Sequence, residues 1–254
     1  MSGLIQGRVA IVSGIGPGMG RDVSLALARE GADLVLAART ASKLGEVAAE
    51  VRAAGRRALE VPTDITRVED CQRLVASVMA EFGRIDVLVN NAFDMGSFVR
   101  IEDASAEDFL RPLRVNLLGS LQLTREVLPV MKAQRRGSIV MINSMIVRDV
   151  LPNMGPYGAS KAALNRMSAA LAAELLEHNI AVNTLAPVSA VITPGVEMLV
   201  SATRDGVVPS LVVGLGGVWT ELLADVVVVP LPADPDRIAA ALPRLTGYPL
   251  LVGA

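Results

Sequence analysis

The 254-residue sequence predicts an α/β fold, a doubly wound parallel sheet in a single domain with an atypical C-terminal segment. Three observations carry this reading. Short Val/Ile/Leu-rich runs alternate with longer Ala/Leu/Glu/Arg-rich stretches of helical character along the first three quarters of the chain. The runs are nearly continuous in apolar residues, as strands covered by crossover helices on both faces must be. With 52% apolar residues but only 3% aromatic ones, Val, Ala, Leu and Met must fill one sizeable core. Right-handed crossovers then wind the helices onto both faces of the sheet.

In chain order, residues 8–13 form the first apolar run, followed by a glycine turn and an amphipathic stretch over 21–30. Residues 33–38 form the second run, leading into a charged helix over 42–54, and a short strand at 58–62 precedes a helix over 68–82. Runs at 86–89, 137–143 and 180–185 complete six strands, each separated from the next by a helical segment. No internal repeat, low-complexity tract or linker interrupts this pattern before about residue 195. Beyond it Gly, Pro and Val become dense and charge thins out. The chain therefore divides into a core of residues 1–195 and an atypical segment of residues 196–254, expected to dock on the same domain.

Composition excludes several classes of function. The 24 Lys and Arg against 26 Asp and Glu give a net charge of −2 with no basic block, so no nucleic-acid surface is expected. Cys71, the single cysteine, cannot form an internal disulfide, which suits a reducing compartment. The lone His178 excludes a His-rich metal site and speaks against a Ser-His-Asp triad; it is expected to be a turn residue, and no metal is expected. The longest uncharged stretches, 179–196 and 206–220, are broken by Pro and by Asn or Gly, so no membrane span is expected. The N-terminal MSGLIQGRVAIVSG lacks a basic segment leading into an apolar run and cleavage site, and a soluble cytoplasmic protein is expected.

Ser13-Gly14-Ile15-Gly16-Pro17-Gly18-Met19-Gly20 lies directly between the first strand and the first helix. Glycines at 14, 18 and 20 allow a tight turn, close approach to a pyrophosphate and helix–sheet packing. Unpaired N–H groups at the helix start favour phosphate there. A glycine-rich loop without a ligand is the plain alternative, but the strand–turn–helix context favours a Rossmann-like nucleotide site formed by Gly14, Ile15, Gly16, Gly18, Met19 and Gly20. At the end of the second strand, Leu36-Ala37-Ala38-Arg39-Thr40 holds no acid for a ribose 2′-hydroxyl and one arginine suited to a 2′-phosphate. Arg39 therefore favours NADP(H), with NAD(H) possible if Arg39 only caps a surface turn.

Tyr157 and Lys161 stand four residues apart, on one face of a helix, and Ser144 ends the apolar run SIVMIN. Ligands of doubly wound sheets bind at that edge. A nearby ammonium and a bound cofactor are expected to lower the tyrosine pKa, so the phenol can exchange a proton near neutral pH. Taken singly, each residue reads more readily as a half-buried core phenol, a solvated helix lysine and a helix cap, respectively.

Together, the Gly14/Gly18/Gly20 turn, Asp64, Asn90-Asn91-Ala92, Asn116, Ser144, Tyr157 and Lys161 resemble the short-chain dehydrogenase/reductase family, in order and spacing, from about residue 5 to residue 195. The resemblance implies that Tyr157 is the general acid/base, that Lys161 holds the nicotinamide ribose, and that Ser144 steadies the substrate oxygen. It implies that Asn116, in an interrupted helix at VNLLG, holds a water in a proton relay, that Asp64 and Ile65 meet the adenine, and that Asn90 and Ala92 lie at the cofactor cleft, with Val191 against the carboxamide. The substrate is then a secondary alcohol or ketone; Phe93, Met95, Phe98, Met145 and Met154 suggest an apolar one. A homo-oligomer, dimer or tetramer, is expected.

Four features depart from the family pattern. Phe93 replaces the glycine after Asn-Asn-Ala, and Pro17 removes an N–H donor at a turn position that often carries a polar or basic residue. Ala186-Pro187-Val188 replaces the usual Pro-Gly, with Thr193 one residue late, and the tail lacks the usual ending. Residues 207–254 instead resemble a segment of the ATP-grasp region of NDP-forming acyl-CoA synthetases, without the rest of an ATP-grasp site. A competing reading makes 237–245 the last helix and 246–252 the edge strand of the dehydrogenase fold. If the tail fails to complete the substrate lid, the chain is a weak or silent nucleotide-binding module.

Overall fold

In the computed structural model, the structure describes residues 3–148 and 150–187, together with the backbone of three strands in the C-terminal segment. Contacts divide the chain into two compact units, Met1–Ala186 and Pro187–Ala254.

The first unit is a parallel six-stranded sheet in the order β3-β2-β1-β4-β5-β6, formed by β1 (Val9–Ser13), β2 (Asp33–Ala38), β3 (Ala58–Pro62), β4 (Val87–Asn90), β5 (Gly137–Ile142) and β6 (Ile180–Leu185). These are the six runs anticipated from the sequence, shifted at some ends by a residue. Crossovers are α1 (Met19–Arg29), α2 (Ala41–Ala53), α3 (Val68–Phe82), α4 (Ala106–Pro112), α5 (Ser120–Gln134) and α6 (Gly155–Leu175). A π-helical turn over Leu113–Gly119 joins α4 to α5, and it is the interruption expected around Asn116. Such widened turns release backbone groups from the regular ladder and recur at functional sites.

Burial explains why the strands read so clearly. Ile11, Val35, Leu88 and Ile139 are fully buried in neighbouring strands, packed with Leu74 of α3, Leu123 and Met131 of α5 and Leu164 of α6. Ala26 and Leu27 of α1 and Leu44, Val47 and Val51 of α2 are buried as well. Just before β4, Asp86 accepts bonds from Arg8, Arg84 and the Val9 N–H at 2.6–3.0 Å, tying the sheet's opposite edge together.

Register places the C-terminal ends of the strands side by side. Ser13 pairs with Ala37, Val12 with Val89 and Asn90 with Met141. Strand order reverses between β1 and β4, which opens a crevice above those ends.

The second unit holds β7 (Met198–Thr203), β8 (Ser210–Leu215) and β9 (Val226–Pro230), an antiparallel sheet in the order β7-β8-β9. This sheet was not anticipated. The helix expected at 237–245 and the strand expected at 246–252 lie outside the described residues.

Candidate active site

The glycine turn follows β1 directly. Gly14 has φ +76°, and its N–H donates to the Ala37 carbonyl at 2.8 Å, holding the turn against β2. A Cβ at Gly14 would lie 2.5 Å from the Ala92 backbone, and one at Gly20 would lie 2.5 Å from the Gly14 carbonyl. Gly16 and Gly18 are different: a Cβ on either would project into open space, with nothing within 4 Å. No side chain caps the start of α1 after Gly18. The turn is thus packed tightly on its protein side and left bare on its outer side, where backbone N–H groups can meet a phosphate. These residues fit the dinucleotide that the sequence implies.

Asn91, unassigned in the sequence reading, fastens this turn to β4. Its Nδ2 donates to the carbonyls of Ser13 at 3.2 Å and Gly14 at 2.9 Å, and its N–H donates to Ser13 Oγ at 3.2 Å.

Beside the turn lies a cleft of about 640 Å³. Of the expected cofactor residues, Gly14, Ile15, Arg39, Asp64, Ile65 and Ala92 line it, with Phe93 at its rim. Asp64 closes its own loop, its Oδ1 accepting from the Thr66 N–H at 2.9 Å and hydroxyl at 2.7 Å. Asn90 does not line the cleft. Its side chain is 2% exposed and donates to Thr124 Oγ1 at 3.0 Å and Met141 Sδ at 3.3 Å, because the pleat turns it into the core. Its Oδ1 is buried without a partner. Thr40, Lys43, Arg111 and Arg114 line the cleft too and were missed, since nothing local marks a surface residue as cleft-facing. Val191 lies outside the described residues.

The four expected catalytic residues gather beyond this cleft, at the ends of β4 and β5. Helix α6 carries Tyr157 and Lys161 one turn apart, buried to 8% and 2% exposure, with the Lys161 Nζ 5.8 Å from the Tyr157 ring centre. The Ser144 side chain lies near enough to the Tyr157 phenol to lower its pKa somewhat, and its Oγ accepts from the Ile146 N–H at 3.3 Å. Asn143 fixes the neighbourhood by accepting from the Ser144 N–H at 2.9 Å and donating to the Lys161 carbonyl at 3.2 Å. Asn116, fully buried in the π-turn, donates to Ser160 Oγ at 2.8 Å, and Ser160 donates in turn to the Tyr157 carbonyl at 2.7 Å. The same amide grips the Asp94 backbone at both ends, accepting from its N–H at 2.7 Å and donating to its carbonyl at 2.9 Å. Ser160 and Asn143 were also missed, although each adjoins a residue that was assigned.

The lowering expected for Tyr157 belongs to the cofactor-bound site; in the protein alone the direction is upward. Burial raises the Tyr157 pKa above its ordinary value near 10, and Ser144 offsets only part of that. Burial alone lowers Lys161 to about 8. The Lys161 Nζ donates to the Ile142 carbonyl at 2.8 Å and stands 5.8 Å from the Tyr157 ring centre.

Among the described residues no helix is long and apolar enough to cross a membrane, and no group of three or more His, Cys, Asp or Glu is placed to hold a metal. The family model described as short chain dehydrogenase matches residues 8–202. The 1,6-dihydroxycyclohexa-2,4-diene-1-carboxylate dehydrogenase of Acinetobacter baylyi is 36% identical over 179 residues, 70% of this chain and 67% of that protein. Among solved structures, NAD+-bound xylitol dehydrogenase superposes with a TM-score of 0.70 at 35% identity, over 72% of this chain and 70% of that one. A metagenomic short-chain oxidoreductase in complex with NADP gives 0.69 at 34% identity, over 73% of this chain and 84% of that one.

Proposed function

The chain belongs to the short-chain dehydrogenase family and is an oxidoreductase of CH–OH and C=O groups that uses a nicotinamide cofactor, and on that premise we propose that it interconverts an apolar ketone and its secondary alcohol with NADP(H), through Ser144, Tyr157, Lys161 and Asn116. The observation that carries this reading is the gathering of Ser144, Tyr157 and the buried Lys161, with Asn116 tied through Ser160 to the Tyr157 backbone carbonyl.

When bound, the nicotinamide gives or takes the hydride, and the protein handles the proton. Ser144 lies beside the Tyr157 phenol, so a carbonyl oxygen entering between the two hydroxyls would accept from both. In reduction Tyr157 releases its proton to the developing alkoxide, and in oxidation it takes one back. Lys161 would hold the nicotinamide ribose and help to restore that proton. Asn116 keeps the π-turn and α6 in fixed relation, which orients Tyr157 through Ser160. In the described part of the cofactor site, Gly14, Gly16, Gly18, Met19 and Gly20 would hold the pyrophosphate and Asp64 and Ile65 the adenine; Val191 against the carboxamide completes the proposal.

An apolar substrate is supported by two loops flanking the catalytic residues. Phe93, Met95 and Phe98 follow β4, Val150 and Leu151 follow β5, and all five are exposed. Val99 and Met154 bridge the two loops through their backbones. We also propose a homo-oligomer, a dimer or tetramer, checked by light scattering; a monomeric mass would overturn it. The catalytic assignment is tested with a panel of apolar ketones and NADPH. Tyr157→Phe is expected to lower turnover at least about 100-fold while leaving the NADPH Kd within about twofold. Retention of a tenth or more of the turnover would overturn the role given to Tyr157.

A further inference from the structure

Four cationic side chains line the cleft, and they are not equivalent. Arg111 donates through Nε to Asp94 at 2.9 Å, and Arg114 is forked onto Glu107 at 2.5 and 3.2 Å. Arg21, beside the glycine turn, is committed to Glu50 at 2.5 and 2.8 Å and to Asp22 at 3.3 Å. Arg39 and Lys43 also line the cleft, and neither makes an ion pair with any of the described residues. They flank Thr40 at the junction of β2 and α2, and the first turn of α2 carries no acidic residue to neutralise them.

A ribose 2′-phosphate brings close to two negative charges, which one guanidinium offsets only in part. The glycine turn cannot supply the rest, since residues 13–20 hold no cation and Pro17 holds not even an N–H. By elimination among the described residues, the remaining charge comes from α2. We propose that Lys43 is a second specificity-determining residue, sharing the 2′-phosphate of NADP(H) with Arg39. This rests on the NADP(H) reading above and assigns the half of it that Arg39 alone leaves uncompensated. Lysine suits the part: it offers a compact charge on a flexible stem that reaches a phosphate without bidentate geometry.

The test uses the full chain and two cofactor fragments, adenosine 2′,5′-bisphosphate and 5′-AMP, titrated by calorimetry, so no turnover is needed. Wild type is expected to bind the bisphosphate far more tightly than 5′-AMP. Lys43→Ala is expected to weaken bisphosphate binding by about fivefold to twentyfold, to leave 5′-AMP binding within about twofold, and to flatten the salt dependence of the former. Lys43→Arg should restore most of the loss. Lys43 is exposed, so its replacement does not threaten the fold. If wild type fails to distinguish the two fragments, the NADP(H) reading itself falls and this inference with it. If wild type distinguishes them but Lys43→Ala distinguishes them equally well, or weakens both alike, the NADP(H) reading stands and Lys43 is excluded.

Discussion

Gly14 and Gly18 lie in one turn, yet a methyl group added to each does different damage. At Gly14 the new Cβ would sit 2.5 Å from two backbone atoms of Ala92 and 2.9 Å from the Asn91 carbonyl carbon. Ordinary contact begins near 3.4 Å, so β4 or the turn must yield by about 1 Å at a place that Asn91 clamps. A left-handed conformation for a non-glycine residue adds about 1–2 kcal/mol, and overpacking against backbone adds about 1–3 kcal/mol. Gly14→Ala is therefore expected to lose about 2–5 kcal/mol of stability, a fall of roughly 4–20 °C in Tm for a chain of this size. At Gly18 a Cβ meets no protein atom within 4 Å. Gly18→Ala should then cost no more than about 1 kcal/mol, chiefly for its backbone angles, while placing a methyl group where the phosphate must approach. Thermal melts paired with nicotinamide-fluorescence titrations separate the two effects. Gly14→Ala should lose both stability and affinity, whereas Gly18→Ala should keep its Tm within about 3 °C and lose at least tenfold in NADPH affinity. If Gly18→Ala binds NADPH as wild type does, the open side of the turn is not a phosphate cradle. If Gly14→Ala melts with wild type, the close approach to Ala92 is not real.

Two further outcomes concern buried charge. Lys161 is charged in both the folded and unfolded states below about pH 8, so its burial penalty is fully present there; the penalty lifts as pH rises through about 8 towards 10.5. Lys161→Met should therefore be more stable than wild type at pH 7, by about 1–3 kcal/mol, with the advantage shrinking by pH 10 in urea titrations; a less stable variant at pH 7 would refute the penalty. For Asp86, burial pushes the carboxyl up, but the bonds from Arg84, the Val9 N–H and Arg8 outweigh it and the pKa falls. A depressed carboxylate contributes stability above its unfolded pKa near 4 and loses it as pH falls through the lower folded value. Asp86→Ala should cost about 2–3 kcal/mol at pH 7 and progressively less below pH 4; an equal gap at pH 7 and pH 3 would show the loss is packing alone.

The six parallel strands were legible because each is buried on both faces and reads as an unbroken apolar run. Their ends were less so. Met19 and Gly20 read as turn but belong to α1, since only the bare backbone of Gly18 marks the boundary. Within the site, helical spacing put Tyr157 and Lys161 on one face of α6, and only the company of the other motifs singled them out. Asn91 and Ser160 were not legible, because their roles depend on partners 77 and 44 residues away. Asn90 was misplaced for a related reason: its position in the motif locates it at the strand end, but only the pleat decides that its amide faces Thr124. The sheet of β7 to β9 was invisible because its Val-rich runs are broken by glycine and proline and showed only as a change of texture.

The upward shift at Tyr157 has its own logic. Burial disfavours both ionised forms in the same enclosure, raising the phenol and bringing Lys161 to about 8. Left to the protein's own groups, the pair at neutral pH is a protonated tyrosine beside an easily discharged lysine. On the reading in which Tyr157 handles the proton, that state carries the proton that reduction needs, beside Ser144. Oxidation needs the phenolate, and in the free protein the Lys161 Nζ, 5.8 Å from the ring centre, donates to the Ile142 carbonyl. A positive charge must come nearer, by Lys161 leaving that carbonyl for a new partner or by a cation arriving with the ligand. The burial that raises Tyr157 thus keeps its proton in place until a substrate oxygen arrives, and its release then depends on a positive charge that stabilises the phenolate.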